Sequence, residues 1–383
     1  MRRPNLAMAS VAAALIGLAA TAPSSAARER PGAPTLADRA AKLPWWQTPL
    51  LPNPDRASYA PEAAPARDPL VGALLGDRTP DARLEAAAAA LALIAVEGKG
   101  GLARWELREA AWRAGWPYPI TAAQGWGTPE GATPPPDLFT WIEGLQPGQT
   151  FGIARARGPL GDAWVGLLGA PSVTLGPVPR TAPLGTLLTL PAIPGATLRL
   201  ADGRGGLRED DLADGATVPL VLAGEWIARI EVAGASVAHF PIYAGIPSPQ
   251  VPLLRVDAAT AAVTTSEEVD AHARALLHEV RTRYVLPPWG TDPLLDAAAR
   301  ALAQDPDRAA GPVLERMGAA PGRGVAWRCD DLTVEDCLDR WVWNPAGRAA
   351  LLDPQLDRLG LDARLDAAGV HLVLTLAPSA TAP

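Results

Sequence analysis

The chain has 383 residues, 48% of them hydrophobic, with a formal net charge of −7. That length can bury two or three sizeable cores, and that apolar fraction excludes a wholly disordered chain. The basic residues are nearly all arginine and form no block after Arg3, which excludes a protein that tracks a nucleic-acid backbone.

The first residues read as an export signal. Arg2 and Arg3 make a positive start, residues 6–20 an apolar run, and Ser24, Ser25, Ala26 and Ala27 a small-residue cleavage site after Ala26 or Ala27. The apolar run is short for a bilayer span; an uncleaved anchor is the alternative. No Cys follows the run, which argues against lipidation, and the surroundings of Arg2-Arg3 fit twin-Arg export poorly. The expected location is secreted or periplasmic.

Residues 28–68 are rich in Pro, Ala and Arg and read as a linker, interrupted by Trp45-Trp46, a pair expected to dock on the body of the protein. A helical/β unit is expected over 69–170. Within it, residues 84–96 read as a buried helix. Residues 102–116 read as a second, with Leu102, Trp105, Trp112 and Trp116 near one face as core. Residues 150–168 read as two strands around Gly158-Pro159.

Residues 171–246 read as a small β-sandwich, from alternation at Leu198 and Leu200, a turn at Asp202-Gly203, and alternation again from Trp226 to Val232. The last unit, 257–378, is expected to be an α/β/α sandwich. It has helices over 267–284, 292–304, 309–317 and 333–343, and closing strands over 355–363 and 370–377. The whole is an α+β multidomain chain.

Cys329 and Cys337 are the two cysteines. In an exported chain they are expected to pair. Eight residues of helix would part them by ~12 Å, so a bridge requires Cys329 to lie off the helix that Thr333 caps, with Asp336 at the third helical position. Two free thiols or a redox-sensitive pair are the alternatives. A structural zinc site lacks two further ligands nearby.

The stretch from Thr333 to Pro354 carries an acidic helix ending in Trp. It continues through Asn344-Pro345-Ala346-Gly347-Arg348 and closes on Leu351-Leu352-Asp353-Pro354. This resembles the signature of the CAP superfamily, the cysteine-rich secretory, antigen 5 and pathogenesis-related proteins and their bacterial relatives (SCP domain). Residues 276–283 with Leu286-Pro287-Pro288, and residues 295–303, resemble that family's first two helices. The resemblance implies a cleft with two histidines and two acids able to hold a divalent metal. Here Leu302 and Gly347 stand at the histidine positions and Val325-Ala326-Trp327 where a Gly-Glu-Asn run is common, so one acid, Glu335 or Asp336, is left. One carboxylate is too few for zinc, so no metal and no cofactor are expected.

A fainter internal echo links Leu145, Pro147, Phe151-Gly152-Ile153 and residues 164–167 with Leu352, Pro354, Leu359-Gly360-Leu361 and residues 372–375. The first unit is thus either a degraded copy of the last or a coincidence of pattern.

Outside the resemblance the sequence offers little chemistry. His272 and His278, six apart on one helix, fall about 240° round its axis and read as surface residues. His239 and His371 read as strand residues. Glu209-Asp210-Asp211 reads as a solvated run rather than a calcium loop, and Gly203-Arg204-Gly205-Gly206 as a hairpin loop. The expected function is a non-catalytic exported scaffold that binds an unidentified envelope or extracellular ligand. One alternative is a hydrolase or peptidase with a rebuilt site using Glu335, Asp336 and His278. Another, implied by the resemblance, is lipid or sterol binding.

Overall fold

The structure, a computed structural model, describes residues 57–61, 67–97, 102, 104–131, 133–158, 161–202, 204–248, 263–319 and 322–379. The expected signal peptide, most of the 28–68 linker with Trp45-Trp46, and Gly203 lie outside these residues.

The first unit starts with two helices held by aspartate caps. Asp68 accepts from Leu70 N before α1 (Pro69–Leu75), and Asp81 accepts from Arg83 N and Leu84 N before α2 (Ala82–Val96). Then come α3 (Arg104–Arg113), β1 (Ile120–Thr128), α4 (Pro136–Glu143), β2 (Thr150–Gly158) and β3 (Gly161–Gly169). The strands form an antiparallel sheet in the order β1-β3-β2. Alternation sorts its two faces. Ala154, Val165 and Leu167 pack with Leu84 and Leu91 of α2, while Phe151, Ile153 and Trp164 pack with Val71 of α1 and Ile142 of α4. The expected aromatic stripe divides. α3 ends at Arg113, so Trp116 drops into the core beneath α2 while Trp112 faces a different core.

The middle unit comprises β4 (Thr181–Ala182), β5 (Leu187–Leu190), β6 (Ala196–Ala201), β7 (Leu207–Asp211), β8 (Ala216–Pro219), β9 (Gly224–Val232) and β10 (Ala235–Ala244). A five-stranded sheet, β4-β10-β9-β6-β7, shares one core with the β5-β8 pair. Leu198, Leu200, Ala228, Ile230 and Phe240 meet Leu188, Leu190 and Val218 there. Tyr59, from the expected linker, joins this core: its ring lies 5.0 Å from Phe240 and its hydroxyl donates to Pro241 O at 2.7 Å.

The last unit runs α5 (Ser266–Arg283), β11 (Gly290–Thr291), α6 (Pro293–Gln304), α7 (Ala310–Arg316), β12 (Val325–Asp331), α8 (Val334–Val342), α9 (Pro345–Leu352), β13 (Arg358–Asp366) and β14 (Gly369–Ala377). Thr265 and Glu268 close a capping box on α5. The sheet order is β11-β13-β14-β12. α6 and α7 cover one face through Leu295, Leu302, Val313, Val373 and Ala377. α5, α8 and α9 cover the other through Leu277, Leu338, Leu351, Leu361, Leu372 and Leu374. This is an α/β/α sandwich.

The first and last units share strand order, β1-β3-β2 and β12-β14-β13, and also close contacts. Asp81 N donates to Phe151 O and Asp292 N to Leu359 O. A Cβ on Gly152 would fall 2.2 Å from Leu84 C, and one on Gly360 2.1 Å from Leu295 C. The units differ at α8, which follows β12 and has no counterpart among the described residues between β1 and α4. The cross-strand pair Cys329–Leu372, packed in the core with α8, corresponds to Trp126–Trp164. Two indoles fill volume where the other unit uses a helix.

One backbone feature predicts a gain in stability. Val285 follows α5 with φ 57° and is 91% exposed. Leu286 N bonds to Arg281 O and Val285 N to Thr282 O, a Schellman closure whose left-handed residue is usually Gly. Val285→Gly is expected to raise stability by about 1 kcal/mol, read from a thermal melt, because a β-branched residue is strained at this φ.

Candidate functional site

α8 holds the expected site residues. Thr333 caps it: Thr333 Oγ1 accepts from Asp336 N at 3.1 Å and donates to Asp336 Oδ2 at 2.8 Å. Burial pushes the Asp336 carboxyl up, and the Thr333 hydroxyl opposes it. One turn on, Asp339 is buried and gripped by both terminal nitrogens of Arg108 from α3. The Arg108 guanidinium lies against both rings of the touching pair Trp112 and Trp343, 5.0 and 4.9 Å from their centroids. Arg104 and Arg340 both reach Asp331, Arg104 at 2.7 Å. α8 is thereby the part of the last unit that the first unit grips.

Glu335 is buried, and a histidine reaches it: His272 Nε2 lies 2.7 Å from Glu335 Oε1. His278, the residue expected there, is exposed on α5 and has no contact with either acid. The surface reading thus holds for His278 and fails for His272, and the histidine that reaches an acid of α8 is His272 rather than His278. Six residues of helix turn the two apart, and the one facing α8 is His272. Nothing in the sequence marks His272, since its partner is 63 positions away.

Cys329 on β12 and Cys337 on α8 form a disulfide with Cα atoms 5.5 Å apart. The strand lets Cys329 lie beside the first turn of α8, the geometry a bridge needs.

The two positions at which the resemblance implies histidines lie on opposite faces of the sheet. Leu302 is buried between α6, α7 and β14. Gly347 sits in α9, where a Cβ would fall 2.4 Å from Trp341 O. Next to it Arg348 is fully buried. Its Nη2 donates to Glu225 Oε2 of β9 at 3.1 Å and to the Tyr284 hydroxyl at 2.7 Å. Burial pushes the Glu225 carboxyl up and Arg348 opposes it. The loop after β6 closes over the same helix, with Gly205 against Ala349 O and the end of α9. The β-sandwich therefore covers α9.

The remaining polar candidates are committed elsewhere. His371 is held between Asp330 (2.7 Å) and Asp366 (3.1 Å), one on each ring nitrogen, and these carboxylates push its pKa up. His239 and Trp112 stand perpendicular with ring centroids 5.2 Å apart, and burial pushes the His239 pKa down to about 3. Glu209 of β7 pairs with Arg199 of β6, and Asp210 with Arg208 of β7. Among the described residues no three His, Cys, Asp or Glu side chains converge as metal ligands. No helix of the described residues is long and apolar enough to cross a membrane.

No family model matches the sequence, and no curated protein matches it. Among solved structures, those similar to this chain include SCP-domain proteins. A cysteine-rich secretory protein from Staphylococcus aureus is 11% identical, covering 42% of this chain and 57% of that one, with a TM-score of 0.27. An extracellular protein containing an SCP domain from Bacillus anthracis is 12% identical, covering 59% and 81%, with a TM-score of 0.24. An outer surface protein from Borrelia burgdorferi is 11% identical, covering 30% and 97%, with a TM-score of 0.27.

Proposed function

We propose that the chain is an exported, non-catalytic CAP-like module that serves as a rigid binding scaffold. The observation that carries this reading is Gly347. The backbone carbonyl of Trp341 occupies the space that any side chain there would need, and the β-sandwich closes over the same helix through Arg348 and Glu225. A cleft histidine is thus incompatible with the packing, not merely replaced. Export is supported by the signal-like start and by a disulfide, which persists in oxidising compartments.

The test restores the family's residues. Gly347→His, alone or with Leu302→His, is expected to lose at least about 3 kcal/mol in a urea melt, the upper range for overpacking. It is also expected to gain no zinc-dependent rise in melting temperature. A variant that folds as stably as the wild type and is then stabilised by zinc would sink the scaffold reading.

A second reading, a hydrolase with a rebuilt site, rests on His272 and Glu335. A buried carboxylate holding a half-buried imidazole is the base and orienter of an acid–base site. This reading requires an ester or peptide hydrolysis that disappears in both His272→Asn and Glu335→Gln while the melts stay unchanged.

A further inference from the structure

Three loops meet at one end of the β-sandwich. Leu184 lies between β4 and β5, Val221 between β8 and β9, and Ile246 follows β10. Gly185 N donates to Leu220 O, Leu220 N to Thr186 O and Gly245 N to Ala182 O, and a Cβ on Gly245 would lie 2.5 Å from Leu184 Cγ. Leu184, Leu187 and Val221 are 52%, 60% and 62% exposed. Leu222 and Ile246 are half-buried in the same loops. These loops carry no charge: no Asp, Glu, Lys or Arg occurs in residues 181–198, 215–224 or 240–248. Arg180 and Glu225, which flank two of these runs, are both buried. The unit's ion pairs sit instead on β6, β7 and β9, as between Arg199 and Glu209 and between Arg229 and Glu231.

The size and make-up of this rim fit a lipid surface rather than a protein. A stable protein interface takes about 20–30 residues a side, whereas the apolar contact here is Leu184, Leu187 and Val221 with their neighbours Leu222 and Ile246. The open cavity beside them, about 360 Å³ lined by Thr181, Ala182, Pro183, Gly245 and Ile246, presents no charged group to a partner or to an ionic headgroup. Hydrocarbon demands no matching shape: it takes up protruding aliphatic side chains and rejects charged ones. Pro183 and Pro219 stiffen two of the loops, so little ordering is lost on contact. A net charge of −7 is repelled by an anionic leaflet and indifferent to a zwitterionic one.

We propose that this end of the β-sandwich inserts shallowly into the surface of a zwitterionic lipid bilayer. Leu184, Leu187 and Val221 reach below the headgroups, and the charged strands β6 and β7 stay in water. The contact lies on the β-sandwich, not on the CAP-like unit, and is independent of the scaffold reading.

A dye on an introduced cysteine tests this in the full chain, whose own two cysteines are bonded to each other. Val221→Cys and Leu207→Cys carry the same environment-sensitive fluorophore; Leu207 is 45% exposed on the charged strand β7. With phosphatidylcholine vesicles the emission at position 221 is expected to shift to the blue, while the dye at 207 stays in water. This comparison requires no change that threatens folding. Adding Leu184→Asp and Leu187→Asp to the Val221→Cys chain is expected to weaken the partition at least about tenfold, with a thermal melt showing that the chain is folded. Phosphatidylglycerol in the vesicles is expected to weaken the partition or leave it unchanged. Vesicle binding with no shift at 221, as an anchored N-terminus alone would give, would overturn the proposal. So would a shift that survives both aspartates in a folded chain, an equal shift at 207, or tighter partition on anionic vesicles. A shift at 221 that grows with protein concentration without lipid, the mark of a second copy, would overturn it as well.

Discussion

Gly360→Ala is expected to cost at least about 3 kcal/mol in a urea or thermal melt, and Gly152→Ala about the same. The new methyl would meet backbone atoms, Leu295 C at 2.1 Å for Gly360 and Leu84 C at 2.2 Å for Gly152. A flexible side chain can rotate away from such a contact; a helix backbone cannot. Each helix is fixed from its N-terminus. Asp292 caps α6 and its N–H bonds to Leu359 O, and Asp81 does the same for α2 with Phe151 O. Relief therefore requires the whole helix to lift off its sheet, opening the cores around Leu302 and Leu91. Gly127→Ala is the control: nothing lies within 4 Å of its Cβ position, and its effect is expected to stay within about 0.5 kcal/mol. If all three alanines behave alike, the contacts that seat α2 and α6 are not those described here.

These two glycines also indicate what could be read from sequence. Phe151-Gly152-Ile153 and Leu359-Gly360-Leu361 stand out as parallel triplets because a glycine between two apolar strand residues is costly unless a backbone lies against it. The long helices were legible for the usual reason, a cap followed by apolar residues at helical spacing, as from Thr265 to Val280. β1 was not legible. Its run Ile120-Thr121-Ala122-Ala123-Gln124-Gly125-Trp126-Gly127-Thr128 is full of small residues, and its strand character comes from pairing with β3 along its length. α9 was hidden in the same way. Asn344-Pro345 has the form of a helix start, but Ala346 and Gly347 add no apolar period to continue it, and the helix persists because Asn344 caps it and the β-sandwich covers it.

The candidate site was half legible. Position and order along the sequence singled out Glu335 and Asp336 as acids in the first turn of α8. Neither could identify His272, because helical phase shows which residues share a face but not what that face meets. Arg108 was equally invisible, since its role depends on Asp339 and on two tryptophans from separate units.

Arg348→Ala is expected to cost about 3–5 kcal/mol, the usual loss when one partner of a buried ion pair is removed. Arg348 and Glu225 are both essentially without solvent contact. Truncating the arginine leaves the carboxylate stranded in the junction between α9 and β9, together with a cavity beside the Tyr284 ring. The pH dependence separates these two losses. Burial already pushes the Glu225 carboxyl up, and Arg348 is the first influence opposing it. Without the guanidinium the folded state binds this proton more tightly than the unfolded chain does. The variant's stability is therefore highest below the ordinary carboxylate pKa and falls as pH rises through the raised folded value. The gap between Arg348→Ala and wild type should narrow in acid, with the cavity contribution left as a pH-independent remainder. Arg348→Met with Glu225→Leu should recover most of the loss, since it removes the charge desolvation and refills the space. A gap constant from pH 4 to pH 8 would mean that packing, not the stranded charge, dominates at this junction. The β-sandwich would then be held on α9 by shape alone.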